Sequence, residues 1–181
     1  MRNHDDVIKA TKQWLIDFVI DLNLCPFAER EYVTKAIRFH VIDGDQESDL
    51  LESLFDEISF LVDNKNISTT LLIHPNLLVD FDDYNQFLGL ADSLLEQHNW
   101  RGEFQIARFH PDYRFADTEA VDAENYTNRS PYPMLHILRE SLVEQAIANY
   151  PDIDQVPSNN IALMENIGSK ELQLRLEALK E

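Results

Sequence analysis

The 181 residues include 15 Lys and Arg against 33 Asp and Glu, a formal charge of −18, with 44% hydrophobic and 27% charged residues. This excludes a disordered or fibrous chain and suits one globular domain, expected over 1–181. A field so negative repels phosphate backbones and anionic lipid surfaces, so no nucleic acid and no membrane is expected as partner. The single cysteine, Cys25, excludes an intramolecular disulfide and fits a reducing compartment. The start, MRNHDDVIKATKQW, lacks the apolar stretch of a signal peptide, and no apolar run is long enough to span a bilayer. A cytoplasmic protein is expected.

Taken in order, Ile8, Thr11, Leu15, Phe18, Val19 and Leu22 follow the period of an amphipathic helix. Residues 35–42 read as a strand closed by the turn pair Asp43-Gly44. Leu51, Leu54, Phe55, Ile58, Leu61 and Val62 restore the helical period, with Ser48 as N-cap. Residues 68–73 (STTLLI) have a buried-strand composition, and Tyr84, Phe87, Leu88, Ala91, Leu94 and Leu95 form another helical stripe. Residues 104–109 (FQIARF) predict a third strand. Ser130-Pro131 is read as the start of a helix running to Asn149. A helix from Ser158 to Ile167 stopped by Gly168, and a last one over 169–179, complete the chain. Strands joined through helices predict an α/β fold with a small, mainly parallel sheet and flanking helices. A ferredoxin-like α+β layout is the alternative.

Charge is unevenly placed. Residues 42–98 hold thirteen acids and one base, Lys65, whereas 101–139 hold five arginines and no lysine. Arginine suits bidentate carboxylate or phosphate contacts, although any one of the five also reads as an ordinary surface residue.

Three histidines stand at the ends of the predicted strands, His40, His74 and His110, although two apolar residues follow His40 in its strand. In open α/β sheets ligands bind beyond the carboxyl ends of the strands. Three neutral imidazoles gathered there would bind a divalent metal; the plainer reading is hydrogen bonding to loop backbone. The segment 109–115 (FHPDYRF) brings together His110, Asp112 and Tyr113, with His110 as acid/base oriented by Asp112, or else a packed strand-to-loop corner. Asn128, Arg129 and Ser130 stand at the predicted helix start, where free N–H groups favour an anion, although Pro131 and Pro133 remove two donors. Arg139 falls on that helix's apolar stripe and must pair or point into a pocket, with His136 beside it. Cys25 would be a nucleophile only if a cation lowered its pKa; a buried, inert thiol is the commoner case.

Four segments, 23–28 (NLCPFA), 71–88 (LLIHPNLLVDFDDYNQFL), 109–115 (FHPDYRF) and 125–140 (NYTNRSPYPMLHILRE), resemble the signature blocks of a bacterial family of unknown function. The resemblance spans nearly the whole chain. It implies a stand-alone bacterial protein and supplies no catalytic residue, substrate or cofactor. No P-loop, dinucleotide fingerprint, HExxH, GxSxG or CxxC is present, and four glycines are too few for a glycine-rich phosphate cradle.

The expectation is an enzyme acting on a small anionic molecule. His110, Asp112 and His136 would carry acid–base chemistry, with Arg129, Asn128, Ser130, Arg139 and Tyr113 binding the anion. His74, His110 and His40 would be metal ligands if a divalent metal assists. A non-catalytic adaptor with an acidic face, and a thiol activity of Cys25, are the alternatives. The sequence leaves the oligomeric state open.

Overall fold

Asn3 caps the first helix by accepting the Asp5 N–H (3.2 Å), and Asp5 and Asp6 complement the positive helix end. The resulting helix, α1 (His4–Trp14), passes into a π-helical turn at Leu15–Ile20, where the sequence predicts one continuous helix. The computed structural model describes residues 3–180; residues 1, 2 and 181, at the ends of the expected domain, lie outside the described residues. A short helix the sequence pattern did not disclose, α2 (Ala28–Val33), leads to β1 (Ile37–Val41). Helix α3 (Glu47–Asp63) starts earlier than expected. Gln46, not Ser48, is its N-cap, because the Asp49 carboxylate accepts the main-chain N–H groups of Asp45 and Gln46 (3.2 and 3.1 Å). Strand β2 (Thr69–Ile73), helix α4 (Phe81–Gln97) and β3 (Phe104–Phe109) fall where the sequence predicts them. Asp80 caps α4 through the N–H groups of Asp82 and Asp83.

The predicted helix over 130–149 is corrected. Residues 134–139 form strand β4 (Met134–Arg139), and only then does α5 (Glu140–Ala148) begin. Pro131 and Pro133 hold Ser130 and Tyr132 extended, which forbids a helix start there. Strand β4 is covered on both faces, so its apolar run (Met134, Leu135 and Ile137 all fully buried) lacks the alternation that would mark a strand. Helices α6 (Val156–Ile167) and α7 (Ser169–Ala178) meet at Gly168, whose φ of +87° a side chain would strain.

The sheet has the order β1-β2-β4-β3. β1 and β2 are parallel, and β4 lies antiparallel between β2 and β3, so β1, β2 and β3 all run the same way. The fold is α/β with a mixed sheet: one pair is parallel and two are antiparallel. One face packs on α3 and α4 through Leu54, Ile58, Tyr84, Phe87, Leu72 and Leu135. The other packs on α1, the π turn, α6 and α7 through Trp14, Phe18, Leu71, Ile73, Met164 and Leu172. Among the described residues no helix is long and apolar enough to cross a membrane.

Candidate functional site

The sheet topology brings His74 and His110 to the same edge, as the strand ends predicted, but their nitrogens are already engaged. His110 is fully buried. Its Nδ1 accepts the Asp112 N–H (3.0 Å), so the proton sits on Nε2, which donates to the Leu78 carbonyl (3.1 Å). Burial holds its pKa below the ordinary histidine value, and no ring nitrogen remains free for substrate or metal. Asp112 thus orients His110 through its main chain, while the side chain stays exposed. His74 donates from Nδ1 to the Leu77 carbonyl (2.8 Å), and its buried Nε2 has no partner among the described residues. Tyr84 packs against both rings, with centroids at 5.9 Å from His74 and 5.1 Å from His110. His40 is drawn toward Glu57 of α3 (3.3 Å), which also holds Arg38 by two hydrogen bonds (2.7 and 3.0 Å). The expected three-histidine metal set therefore does not assemble. Among the described residues no group of three or more His, Cys, Asp or Glu side chains is placed to hold a metal ion.

The anion site expected at Asn128-Arg129-Ser130 loses its helix N-terminus, because strand β4 and not a helix follows the segment. Its side chains tie loops together instead. Arg129 donates from Nε to the Tyr113 carbonyl (3.1 Å) and from Nη2 to that of Ala120 (2.7 Å), with its guanidinium over the Tyr126 ring. Asn128 donates to the Arg108 carbonyl, and buried Ser130 to that of Tyr132. Tyr113 packs edge-on against Phe81 and Phe115. Arg139 lies on β4 rather than on a helix. Its guanidinium donates to the carbonyls of Leu61, Asn64 and Ile67, closing the C-terminal end of α3. Both arginines expected to clamp an anion are thus taken up by main-chain oxygens.

A cavity of about 380 Å³ opens on the other face of the sheet. Its floor is the row Leu71–His136–Ala107, which are register partners across β2, β4 and β3. The small Ala107 leaves the hollow that a larger side chain would fill. Trp14, Leu15 and Val19 form one wall, with the π turn placing the latter two, and Cys25, Phe27 and Ala28 form another. A single inserted π turn commonly marks a functional position in a helix. Leu142, Val143, Ala146 and Ile147 of α5 cover the opening; none of them is buried, so the helix lies on the cavity rather than in the core. Trp14 is fixed by its Nε1–H donating to the Arg129 carbonyl (2.9 Å) and by an edge-on contact with Phe109 (5.1 Å).

In this mostly apolar chamber half-buried His136 stands on the floor. It has no hydrogen-bond partner among the described residues, its nearest ring neighbour is Phe109 (5.9 Å), and burial alone pushes its pKa down to about 4. It is therefore a neutral imidazole at pH 7. A second cavity of about 420 Å³ lies alongside, sharing Val19, Cys25 and Phe109 with the first. All four sequence blocks singled out above contribute to the first cavity: Cys25, Leu71, Phe109 and His136 each come from a different one.

A sequence model for proteins of unknown function, DUF1415, matches residues 6–174. The chain belongs to the DUF1415 family. No curated protein and no solved structure matches it. Within this DUF1415 chain the sequence pattern marks His136 and Cys25, although it sets His136 on a helix. It does not disclose Trp14, Ala107 or the π turn, because only the tertiary fold brings these positions together.

Cys25 of the DUF1415 chain is half-buried, and burial raises its thiol pKa against the opposing pull of the Phe27 and Ala28 N–H groups. The thiolate is the reactive form. Iodoacetamide at pH 7.5 is expected to alkylate native Cys25 roughly tenfold or more slowly than the unfolded chain, read by intact mass. Equal rates would mean a thiolate already present in the fold.

Proposed function

We propose that the protein binds a small, largely apolar molecule in the sheet-face cavity, and that His136 meets its one polar group. The observation carrying this reading is the unpartnered imidazole on the floor of a chamber lined mostly by apolar side chains. His136 is half-buried rather than sealed in the core, and ligand pockets combine apolar walls with a few convergent polar groups. Neutral His136 offers one N–H and one lone pair, so it can accept a ligand hydroxyl or donate to a carbonyl. In the catalytic form of this reading His136 moves a proton on the bound molecule. It then replaces His110 as the acid–base group, because His110 has no free nitrogen.

The test uses Trp14, which lines the cavity, as reporter in a Trp100→Phe background; these are the two tryptophans of the chain. Benzyl alcohol is expected to change Trp14 emission with a dissociation constant on the order of a millimolar, as ligand-efficiency limits suggest for eight heavy atoms. Ala107→Leu, which fills the hollow beside His136, should abolish the change while the melting temperature holds. Undiminished binding in Ala107→Leu would place the ligand elsewhere and defeat the proposal.

A further inference from the structure

The charges around the two cavities bear on the kind of molecule they take. Arg139 contributes to the first cavity's lining, but its guanidinium is bound to the carbonyls at the end of α3 and lies 5.4 Å from the Phe104 ring, in the opposite core. The remaining charged residue of that lining is Glu31 of α2. Glu31 is half-buried, and its carboxylate has no ion-pair or hydrogen-bond partner among the described residues. The second cavity repeats the pattern, with half-buried Glu124 as its charged residue and no cation. An anionic ligand would enter against these carboxylates and the chain's charge of −18, with no free guanidinium or ammonium in either lining to receive it.

We propose that the ligand class is an apolar amine: a molecule whose hydrocarbon part fills the chamber above His136 and whose protonated nitrogen pairs with Glu31. This rests on the cavity reading above, assigns the ligand's polar contact to Glu31 in place of His136, and reverses the expected preference for an anion. Hydrocarbon burial supplies most of the affinity, since apolar area is what the chamber covers. The carboxylate supplies selection by charge, because a half-buried ion pair is less screened than an exposed one. An aliphatic amine, with an ordinary pKa near 10, is charged at pH 7 and suits a carboxylate without a partner. Neutral His136 adds no repulsion against the cation.

Three probes of one shape separate the possibilities: benzylamine, benzyl alcohol and benzoate, titrated against Trp14 fluorescence in the full chain at pH 7. Benzylamine is expected to bind roughly three- to tenfold more tightly than the alcohol, and benzoate more weakly than both. Glu31→Gln should reduce the ratio of amine to alcohol affinity to about one. Glu29→Gln, on the same helix but exposed and outside the cavity, should leave that ratio intact. If the alcohol binds as well as the amine, or the ratio survives Glu31→Gln, the amine inference falls while the cavity reading stands. If benzoate binds best, the amine inference also falls. If none of the three binds, both fall.

Discussion

Replacing Arg139 by Met is expected to destabilise the protein by about 4 kcal/mol, the combined effect of leaving the carbonyls of Leu61, Asn64 and Ile67 without their charged donor. Each such acceptor costs roughly 1–3 kcal/mol if it stays buried, and the three are not additive because partial opening admits water. Met keeps most of the apolar stem, so the loss reports the guanidinium rather than packing. Lysine should recover only part of it, since one ammonium cannot reproduce the fork that reaches three oxygens. Urea unfolding at pH 7, compared at constant m value, measures the difference. A loss below about 1 kcal/mol would mean that water replaces the guanidinium without penalty. It would also release Arg139 to serve as the anion contact that the sequence suggested.

Acid should weaken the fold through His74 and His136. Both are held neutral by burial, with pKa values near 4 against an ordinary 6.5. The unfolded chain therefore binds more protons than the folded one between pH 6.5 and pH 4. Stability is fully present above pH 6.5 and falls as the pH drops toward 4. At pH 5 each histidine withdraws on the order of 2 kcal/mol relative to pH 7.5, so the pair withdraws about 4 kcal/mol. Lessening of the chain's negative charge acts the other way, which is why the comparison must be made within a pair of variants. His136→Leu should lose about half of the difference between urea midpoints at pH 7.5 and pH 5. An unchanged difference would show that His136 keeps its ordinary pKa and is open to water. A bound amine paired with Glu31 should add to the acid sensitivity, since a protonated His136 in the same chamber would repel it.

How far the sequence led is clearest at particular residues. The helical stripes of α3 and α4 and the strands 69–73 and 104–109 were legible, because each buries one side or one short run and its period survives in the residue order. The shared edge for His74 and His110 was legible too, since βα units set the strand direction before any partner is known. Strand β4 was not. Its slot between β2 and β3 buries both of its faces, so MLHILR carries no alternation, and Leu135, Arg139 and Leu142 imitate a helical stripe.

The candidate site divides along the same line. Which groups carry chemistry was readable from residue type alone: Cys25, His74, His110, His136, Arg129 and Arg139 all drew notice. Which of them remain free depends on partners far away in the chain. Arg139 is taken by carbonyls about 75 residues earlier, and Arg129 by those of Tyr113 and Ala120. His110 is closed by Leu78 and its own turn. His136 is left open because its strand neighbours are Leu71 and Ala107, one apolar and one small. The sequence by itself determined the charge of −18, the helix and strand periods and the inventory of reactive groups, since these are properties of local order and composition. Only the tertiary structure decided which hydrogen-bonding capacity is spent inside the protein and which faces a cavity, because a donor's satisfaction is set by what the fold packs against it.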